Sequence, residues 1–402
     1  MQIPELLAPA GNLEKLVTAL DYGADAVYCG LDRFSLRAQA GNLSLVELEQ
    51  GCALAHERGK KLYLTLNAFL RSHEESACRA LLEQLRDFRH DACIVADPGM
   101  LSLLRAIDPD RELHLSTQAN TGSAAAANFW QSQQVKRLNL ARELRLEEIR
   151  AIRQGTTAEL EVFVHGAMCV AYSGRCLLSS ALTGRSANRG NCSHPCRWEY
   201  AVQETTRPGE FLAIEEDKSG SYLFNSRDLC LLGELPALLD AGIDSLKIEG
   251  RMKSRYYVAI VTRVYRAALD ACRNDRQNFT VDPAWQRELD SVSHRPYGTG
   301  FLYDDDPAFV HRAESRYHRD CDFVGVVLTV DGDGRGLVEG RNRFLVGEEL
   351  ELLGPQMRTL PLAVRDVRTE AGEPLAKVQP NARVRLPLPA GSRPGDLLRR
   401  WR

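Results

Sequence analysis

Along the first 250 residues, short runs of aliphatic and β-branched side chains alternate with longer stretches whose apolar positions recur every three or four residues. The runs are ELLAPA (5–10), DAVYCG (25–30), KLYLTL (61–66), ACIVAD (92–97), ELHLST (112–117), VKRLNL (135–140), ELEVFV (159–164) and DSLKIE (244–249). Near-continuous apolar runs are how strands buried on both faces read, and the stretches between them have the helical period. Capping residues mark helix ends: Asn12 and Gly23 bracket NLEKLVTALDYG, and Ser44 and Gly59 bracket SLVELEQGCALAHERG. Helical periodicity also runs through HEESACRALLEQLRDF, RLEEIRAIRQG and DLCLLGELPALLDAG. Eight strands alternating with helices predict an α/β fold of the (β/α)8 TIM-barrel type. An open doubly wound sheet would carry a Gly-rich phosphate turn after its first strand, and PAGN is not one.

One interval breaks the rhythm. About 80 residues separate the seventh and eighth runs, against the ~30 of a βα unit. The excess holds a cysteine-rich segment, then WEYAVQE, GEFLAIEED and GSYLFNS, which read as a small β excursion. Farther on, RNDRQNFTVDPAWQ reads as a linker opening another helix, and SHRPYGTGFLYDDDP is rich in turn residues. From Phe323 the runs FVGVVLTV, GRGLVEG, RFLVGEELELLG, LPLAVRDVR and ARVRLPLP predict a small all-β domain. The expected organisation is a barrel over 1–276 with an insertion at 165–230, a connection over 277–321 and a β-barrel domain over 322–402. Barrels of this kind gather function at the carboxyl ends of their strands. Asn12, Arg37, Asn67, Asp97, Gln118, Arg142, His165, Glu249 and Arg251 fall there.

Composition narrows the setting. With 44% hydrophobic and 26% charged residues, the 402-residue chain reads as an ordinary globular protein. No apolar run approaches the ~20 residues of a membrane helix, and MQIPELLAPAGNLEKL lacks a basic, apolar leader, so no membrane association and a cytoplasmic location are expected. Cytosolic thiols stay reduced, so clustered cysteines there point to metal or chemistry rather than disulfides. Of eleven cysteines, Cys52, Cys93 and Cys272 sit in apolar or helical contexts and read as small buried hydrophobes. Four others crowd one segment, Cys169, Cys176, Cys192 and Cys196, spaced C-x6-C-x15-C-x3-C. The first pair is too loose for a zinc knuckle, whereas an iron–sulfur cube accepts thiolates from a longer loop. The C-x3-C-x2-C of radical S-adenosylmethionine enzymes is missing. A cysteine peptidase would pair Cys169 with His165 one helical turn away, leaving three thiols unexplained.

The net charge of −3 carries no global nucleic-acid signature, and the local charge says more. Residues 162–198 contain no Asp or Glu, yet hold Arg175, Arg185, Arg189 and Arg197. The stretch 251–273 carries Arg251, Lys253, Arg255, Arg263, Arg266 and Arg273 against Asp270 alone. Such patches suit a polyanion or an acidic small molecule. A solvated helix face, and arginines offsetting a negative cluster, would read the same way.

The segment ELEVFVHGAMCVAYSGRCLLSS (159–180) resembles the signature of the collagenase-like peptidase family U32, with Glu161, Phe163, Gly166, Ala167, Met168, Cys169, Gly174, Cys176, Leu178 and Ser179 on motif positions. LLAPAGNLEKLVTALDYGADAVYCG, NCSHPCRWEY, YLFNSRDL and SLKIEGRMKS extend the likeness over essentially the whole chain. The resemblance implies a 4Fe-4S cluster on Cys169, Cys176, Cys192 and Cys196 and oxygen-independent hydroxylation. The branch most similar hydroxylates the wobble uridine of tRNA to 5-hydroxyuridine, with prephenate as co-substrate. Peptidase activity, or hydroxylation of a 23S rRNA cytidine or a ubiquinone precursor, are the alternatives. One ubiquinone branch draws its fourth ligand from farther downstream, which makes Cys230, in the helical context RDLCLLGEL, a rival to Cys196. Arg175 and Arg251 are the candidate anion contacts, with Asn67, Gln118 and Arg142 also facing substrate. His165 and Glu249 are the acid–base candidates, and Trp198, Tyr200 and Tyr222 are candidates to stack on an extruded base.

Overall fold

The computed structural model describes residues 3–36, 41–168, 171–198, 216–217, 220–221, 227–303 and 318–402. Its first strands are β1 (Glu5–Pro9), β2 (Ala26–Gly30), β3 (Lys61–Leu66), β4 (Ala92–Val95), β5 (Glu112–Leu115), β6 (Arg137–Asn139) and β7 (Glu159–Ala167). Then come the two-residue β8 (Glu216–Asp217) and β9 (Gly220–Ser221), followed by β10 (Asp228–Cys230), β11 (Ser245–Ile248) and β12 (Tyr297–Gly298). Strands β1 to β7 pair in order, all parallel, and β11 pairs with both β1 and β7, which closes an eight-stranded barrel. All eight runs read from the sequence are strands of that barrel.

Around it lie α1 (Leu13–Asp21), α2 (Leu45–Glu57), α3 (Glu75–Leu85), α4 (Pro98–Ile107), α5 (Ala124–Ser132), α6 (Leu146–Gly155), α7 (Leu178–Thr183), α8 (Leu235–Asp240), α9 (Arg255–Asn274) and α10 (Pro283–Asp290). The caps hold: Asn12 accepts from the Lys15 N–H, and Ser44 and Glu47 form a reciprocal capping box. Alternation along each strand sends Leu6 and Ala8 into the large core under the helices, while Leu7 joins Ala26, Tyr28, Tyr63, Ala92 and Ile94 in a separate cluster inside the barrel.

The interior also carries charge. Glu161 accepts from Lys247 Nζ at 2.8 Å and Ser245 Oγ at 3.0 Å, and Arg137 bridges to Glu5 and Glu159. Burial alone would raise the Glu161 pKa, but Lys247 and Arg137 hold its carboxyl below the usual range.

The terminal domain comprises β13 (Cys321–Val330), β14 (Arg335–Gly340), β15 (Phe344–Leu345), β16 (Glu349–Leu353), β17 (Thr359–Ala363), β18 (Arg368–Thr369), β19 (Lys377–Val378), β20 (Arg383–Pro387) and β21 (Leu397–Trp401). Seven of them form one antiparallel sheet, β17-β16-β21-β13-β14-β20-β18, over its own small core. The interior strand β21, LLRRW, is absent from the periodicity reading because its charges are matched only in the fold. Arg399 pairs with Glu288 and Glu351, and Arg400 with Asp322 and Glu348.

Two expectations need correction. DLCLLGELPALLDAG is not one helix: Asp228–Cys230 is β10, antiparallel to the end of β7, and only Leu235–Asp240 is helical. Much of the basic stretch 251–273 is not a solvated helix face, because Arg255, Arg263 and Arg266 are matched by acids within the fold. Arg263 is buried against Glu288 and donates to the Gly354 carbonyl at 3.1 Å, Arg255 pairs with Glu14, and Arg266 pairs with Asp25 and Asp270. The helix is the seam on which the terminal domain sits. There Tyr256 stacks on Phe323 with ring centres 5.7 Å apart. Among the described residues no helix is long and apolar enough to cross a membrane.

Candidate functional site

At the carboxyl ends of the barrel strands a cavity of about 530 Å³ opens. Residues that follow β5, β6 and β11 contribute Gln118, Arg142, Glu249 and Lys253 to its wall. The cysteine segment supplies most of the rest, with Cys176, Cys192 and Cys196 all on the lining and Met168, the residue before Cys169, beside them. Cys169 itself lies outside the described residues, as do Arg37, Tyr200 and Tyr222.

The segment is fastened to the barrel mouth at several points. Arg142 donates to the Ala167 carbonyl at 3.2 Å and to Ser173 Oγ at 2.6 Å, and Asn120 donates to the Ser173 carbonyl at 3.1 Å. Arg189 pairs with Glu74 at the start of α3. Within the segment, the buried Ser179 is 2.9 Å from Ser193 Oγ and accepts from the Ser193 N–H at 3.1 Å, while Thr183 Oγ1 is 3.0 Å from the same hydroxyl. These bonds stitch α7, which follows Cys176, to the turn that bears Cys192. Two signature glycines have a physical reason. Gly166 has φ +112° and a Cβ there would lie 2.7 Å from the Glu249 carbonyl, and Gly174 has φ +77° and packs against Gln118.

Cys176, Cys192 and Cys196 are the residues of the cavity lining that could hold a thiolate-bound group. Among the described residues, no three His, Cys, Asp or Glu side chains form a group that could hold a metal ion. Cys176, Cys192 and Cys196 share the cavity lining, each half-buried, and Cys169 follows the wall residue Met168 in the sequence. The His194 N–H points to Cys192 Sγ at 3.3 Å, the kind of backbone donor that stabilises a thiolate ligand.

The remaining residues read from the sequence separate into two sets. Gln118, Arg142, Glu249 and Trp198 are on the cavity wall. Asn67 is one layer back, accepting from the Leu36 N–H at 3.0 Å and donating to Gln118 Oε1 at 3.3 Å. Asn12 and Asp97 are helix caps. Arg175 is exposed and does not line the cavity. Arg251 is buried, and its guanidinium is held by Ser35, Leu36, Thr65 and Asn42 at 2.7–2.9 Å, so it braces the loop after β2 rather than facing the cavity.

His165 is in an extended strand, not a helix, and lies behind the wall among the rings of Tyr257, Tyr265 and Tyr297. Burial, then the positive field of His294 and Lys253, lowers its pKa to about 3. Cys230 pairs across from it in β10 and is outside the cavity lining, whereas Cys196 is on it. Burial pushes the Cys230 thiol up to about 11. Lys253 was read only as part of a basic run. It reaches the wall, with Nζ 2.9 Å from the Ser293 carbonyl and 5.2 Å from the Tyr257 ring centre. Its one signal was the SLKIEGRMKS likeness.

Comparison with known proteins follows the same division of the chain. The model of peptidase family U32 matches residues 11–311, and that of the family's C-terminal domain matches 319–399. A tRNA hydroxylation protein of Bacillus subtilis is 38% identical over 404 aligned positions, covering 99% of this chain and 94% of that one. The 23S rRNA 5-hydroxycytidine synthase of Escherichia coli is 42% identical over 272 positions, covering 68% of this chain and 40% of that one. A collagenase of Porphyromonas gingivalis is 29% identical over 413 positions, covering 99% and 97%. Barrel, cysteine segment and terminal domain are thus matched together, and the chain belongs to peptidase family U32.

Proposed function

We propose that this protein is a cytoplasmic, oxygen-independent RNA hydroxylase that converts the wobble uridine of tRNA to 5-hydroxyuridine with prephenate as co-substrate. The reading is carried by the cavity at the barrel mouth, where Cys176, Cys192 and Cys196 meet Arg142, Glu249 and Lys253. It occurs in a chain similar over almost all its length to a tRNA hydroxylation protein. Cys169, Cys176, Cys192 and Cys196 would hold a 4Fe-4S cluster, which supplies Lewis-acid or electron-transfer capacity when bound.

The protein's own side chains divide the other tasks. Arg142 and Lys253 bring positive charge to the wall, which suits a dicarboxylate. Arg142 also fixes the cysteine segment, so its loss removes both functions. Glu249, whose N–H donates to the His165 carbonyl at 2.9 Å, is assigned the proton that leaves uracil C5. His165, buried and off the wall, orders the end of β7 instead. That placement also removes support from a peptidase built on His165 and Cys169.

The test is mass spectrometry of tRNA nucleosides from a deletion strain, complemented with wild type or Cys176→Ala. The expected result is loss of 5-hydroxyuridine derivatives, restored by wild type alone. Their persistence in a strain with no paralogue sinks the tRNA assignment. Anaerobically purified protein is expected to be brown and to carry about four irons per chain. Stoichiometric zinc without iron refutes the cluster.

A further inference from the structure

Large apolar side chains that stand in solvent are unevenly spread over the molecule. Among the described residues they include Tyr172, Leu177, Leu182 and Trp198 on the cysteine segment and Met252 shortly after β11. Of these, Tyr172 (57% exposed), Trp198 (43%) and Met252 (50%) line the mouth of the cavity. Contiguous exposed apolar surface at the rim of a pocket marks something that covers it.

Both rings hang on fixed backbone. Tyr172 precedes Ser173, which Arg142 and Asn120 clamp, and its carbonyl accepts from the Arg175 N–H at 3.0 Å. Trp198 closes the short 3-10 turn that contains Cys196, its N–H donating to the Pro195 carbonyl at 3.0 Å. The charge of the segment itself has one sign: residues 162–198 contain no acid, and Arg175 is exposed beside Tyr172, while the acid of the cavity wall, Glu249, comes from the end of β11. Arg189 and Arg185 are engaged by Glu74 and Asn191, whereas Arg175 is exposed. Preorganised aromatic faces beside a cation, on a segment without acids, match an unpaired nucleobase and its phosphate better than an apolar protein patch, which needs no positive border.

We infer that Tyr172 and Trp198 form the stacking platform for an unpaired base of the RNA substrate, with Arg175 contacting the adjoining phosphate. The inference rests on the RNA-hydroxylase reading and assigns substrate-positioning residues to it. The base enters over the rim, while the polar wall at Arg142 and Lys253 stays available to the small co-substrate.

The experiment measures binding of a labelled single-stranded, uridine-containing oligoribonucleotide to anaerobically purified holoenzyme by fluorescence anisotropy, with iron content as the control for intact fold. Trp198→Ala and Tyr172→Ala are each expected to weaken binding between about 5-fold and about 150-fold. Trp198→Phe should recover most of the loss. Arg175→Ala is expected to lower the slope of log affinity against log salt by about 0.7, the single-strand value for one phosphate. The KM for the co-substrate should stay at the wild-type value in the aromatic variants. Wild-type RNA affinity in both alanine variants overturns the platform, as does a loss confined to the co-substrate KM. If the wild type hydroxylates no RNA, the enzyme reading has failed. If it does so and the alanine variants keep its RNA affinity, the platform alone has failed.

Discussion

The guanidinium of Arg263, in the middle of α9, is buried between the barrel and the terminal domain, where it meets Glu288 and two carbonyls of the β16–β17 turn. That of Arg175, at the barrel mouth, stands in solvent with no acid in its own segment. Both residues belong to arginine-rich stretches of similar composition, and the fold uses them in opposite ways. In α9 the positive charges are matched by Glu14, Asp25 and Glu288, so the helix binds the molecule together. In the cysteine segment the anchors are mostly hydrogen bonds to serine, asparagine and carbonyl groups, with Glu74 the main acid. Local positive charge therefore survives there, where a polyanion can reach it. A run of arginines indicates binding only after its internal partners are known.

Breaking the buried side should have the largest effect. Glu288→Ala strands Arg263 without a counter-charge and leaves Arg399 with Glu351 alone, and a loss of about 3–5 kcal/mol is expected in urea unfolding. A change under 1 kcal/mol would mean that the seam is held by packing alone.

Acid should sharpen the contrast next. The His165 pKa of about 3 lies below the ordinary 6.5, so the unfolded chain binds the proton more readily. The stability owed to neutral His165 is complete above pH 6.5 and falls with acidification, by about 2 kcal/mol between pH 7 and pH 5. Glu288 acts in the same direction but in a lower pH window: Arg263 and Arg399 overcome its burial and depress its pKa. Its contribution therefore persists above the usual carboxylate range and is lost only below it. Stability measured from pH 7 to pH 4 in wild type and His165→Gln separates the two, because the variant should show a shallower decline between pH 6.5 and pH 5, keeping only the share of other buried histidines such as His90.

Within the cysteine segment, Ser179→Ala removes the bonds to Ser193 and should cost about 1–2 kcal/mol. Greater loss of iron than of global stability is expected, since the stitch is local. The smallest effect is at the open end: Arg175→Ala should change stability by less than about 0.5 kcal/mol. A larger change would show that Arg175 is structural and would erase the contrast with Arg263.

The barrel was legible because its signal is local. Strands such as KLYLTL (61–66) and ACIVAD (92–97) are buried on both faces, so their apolar character is continuous along the chain. The cysteine spacing and the motif glycines were legible for a related reason, since each reflects one tight path of the backbone near the mouth. Less legible were β10, whose three residues pair with β7 some 60 positions earlier, and β21, whose arginines find their acids in other elements.

Strand order, the helices and their caps, the interrupted seventh interval and the gathering of thiols in it were thus determined by sequence alone, through periodicity and short-range chemistry. Which charges are matched was decided only in three dimensions. Arg251 braces a loop more than 200 residues away, Lys253 reaches the cavity, and Arg263 seals a domain boundary. The reason is that the worth of a charged side chain depends on its desolvation and its partner, and neither is a property of neighbours along the chain.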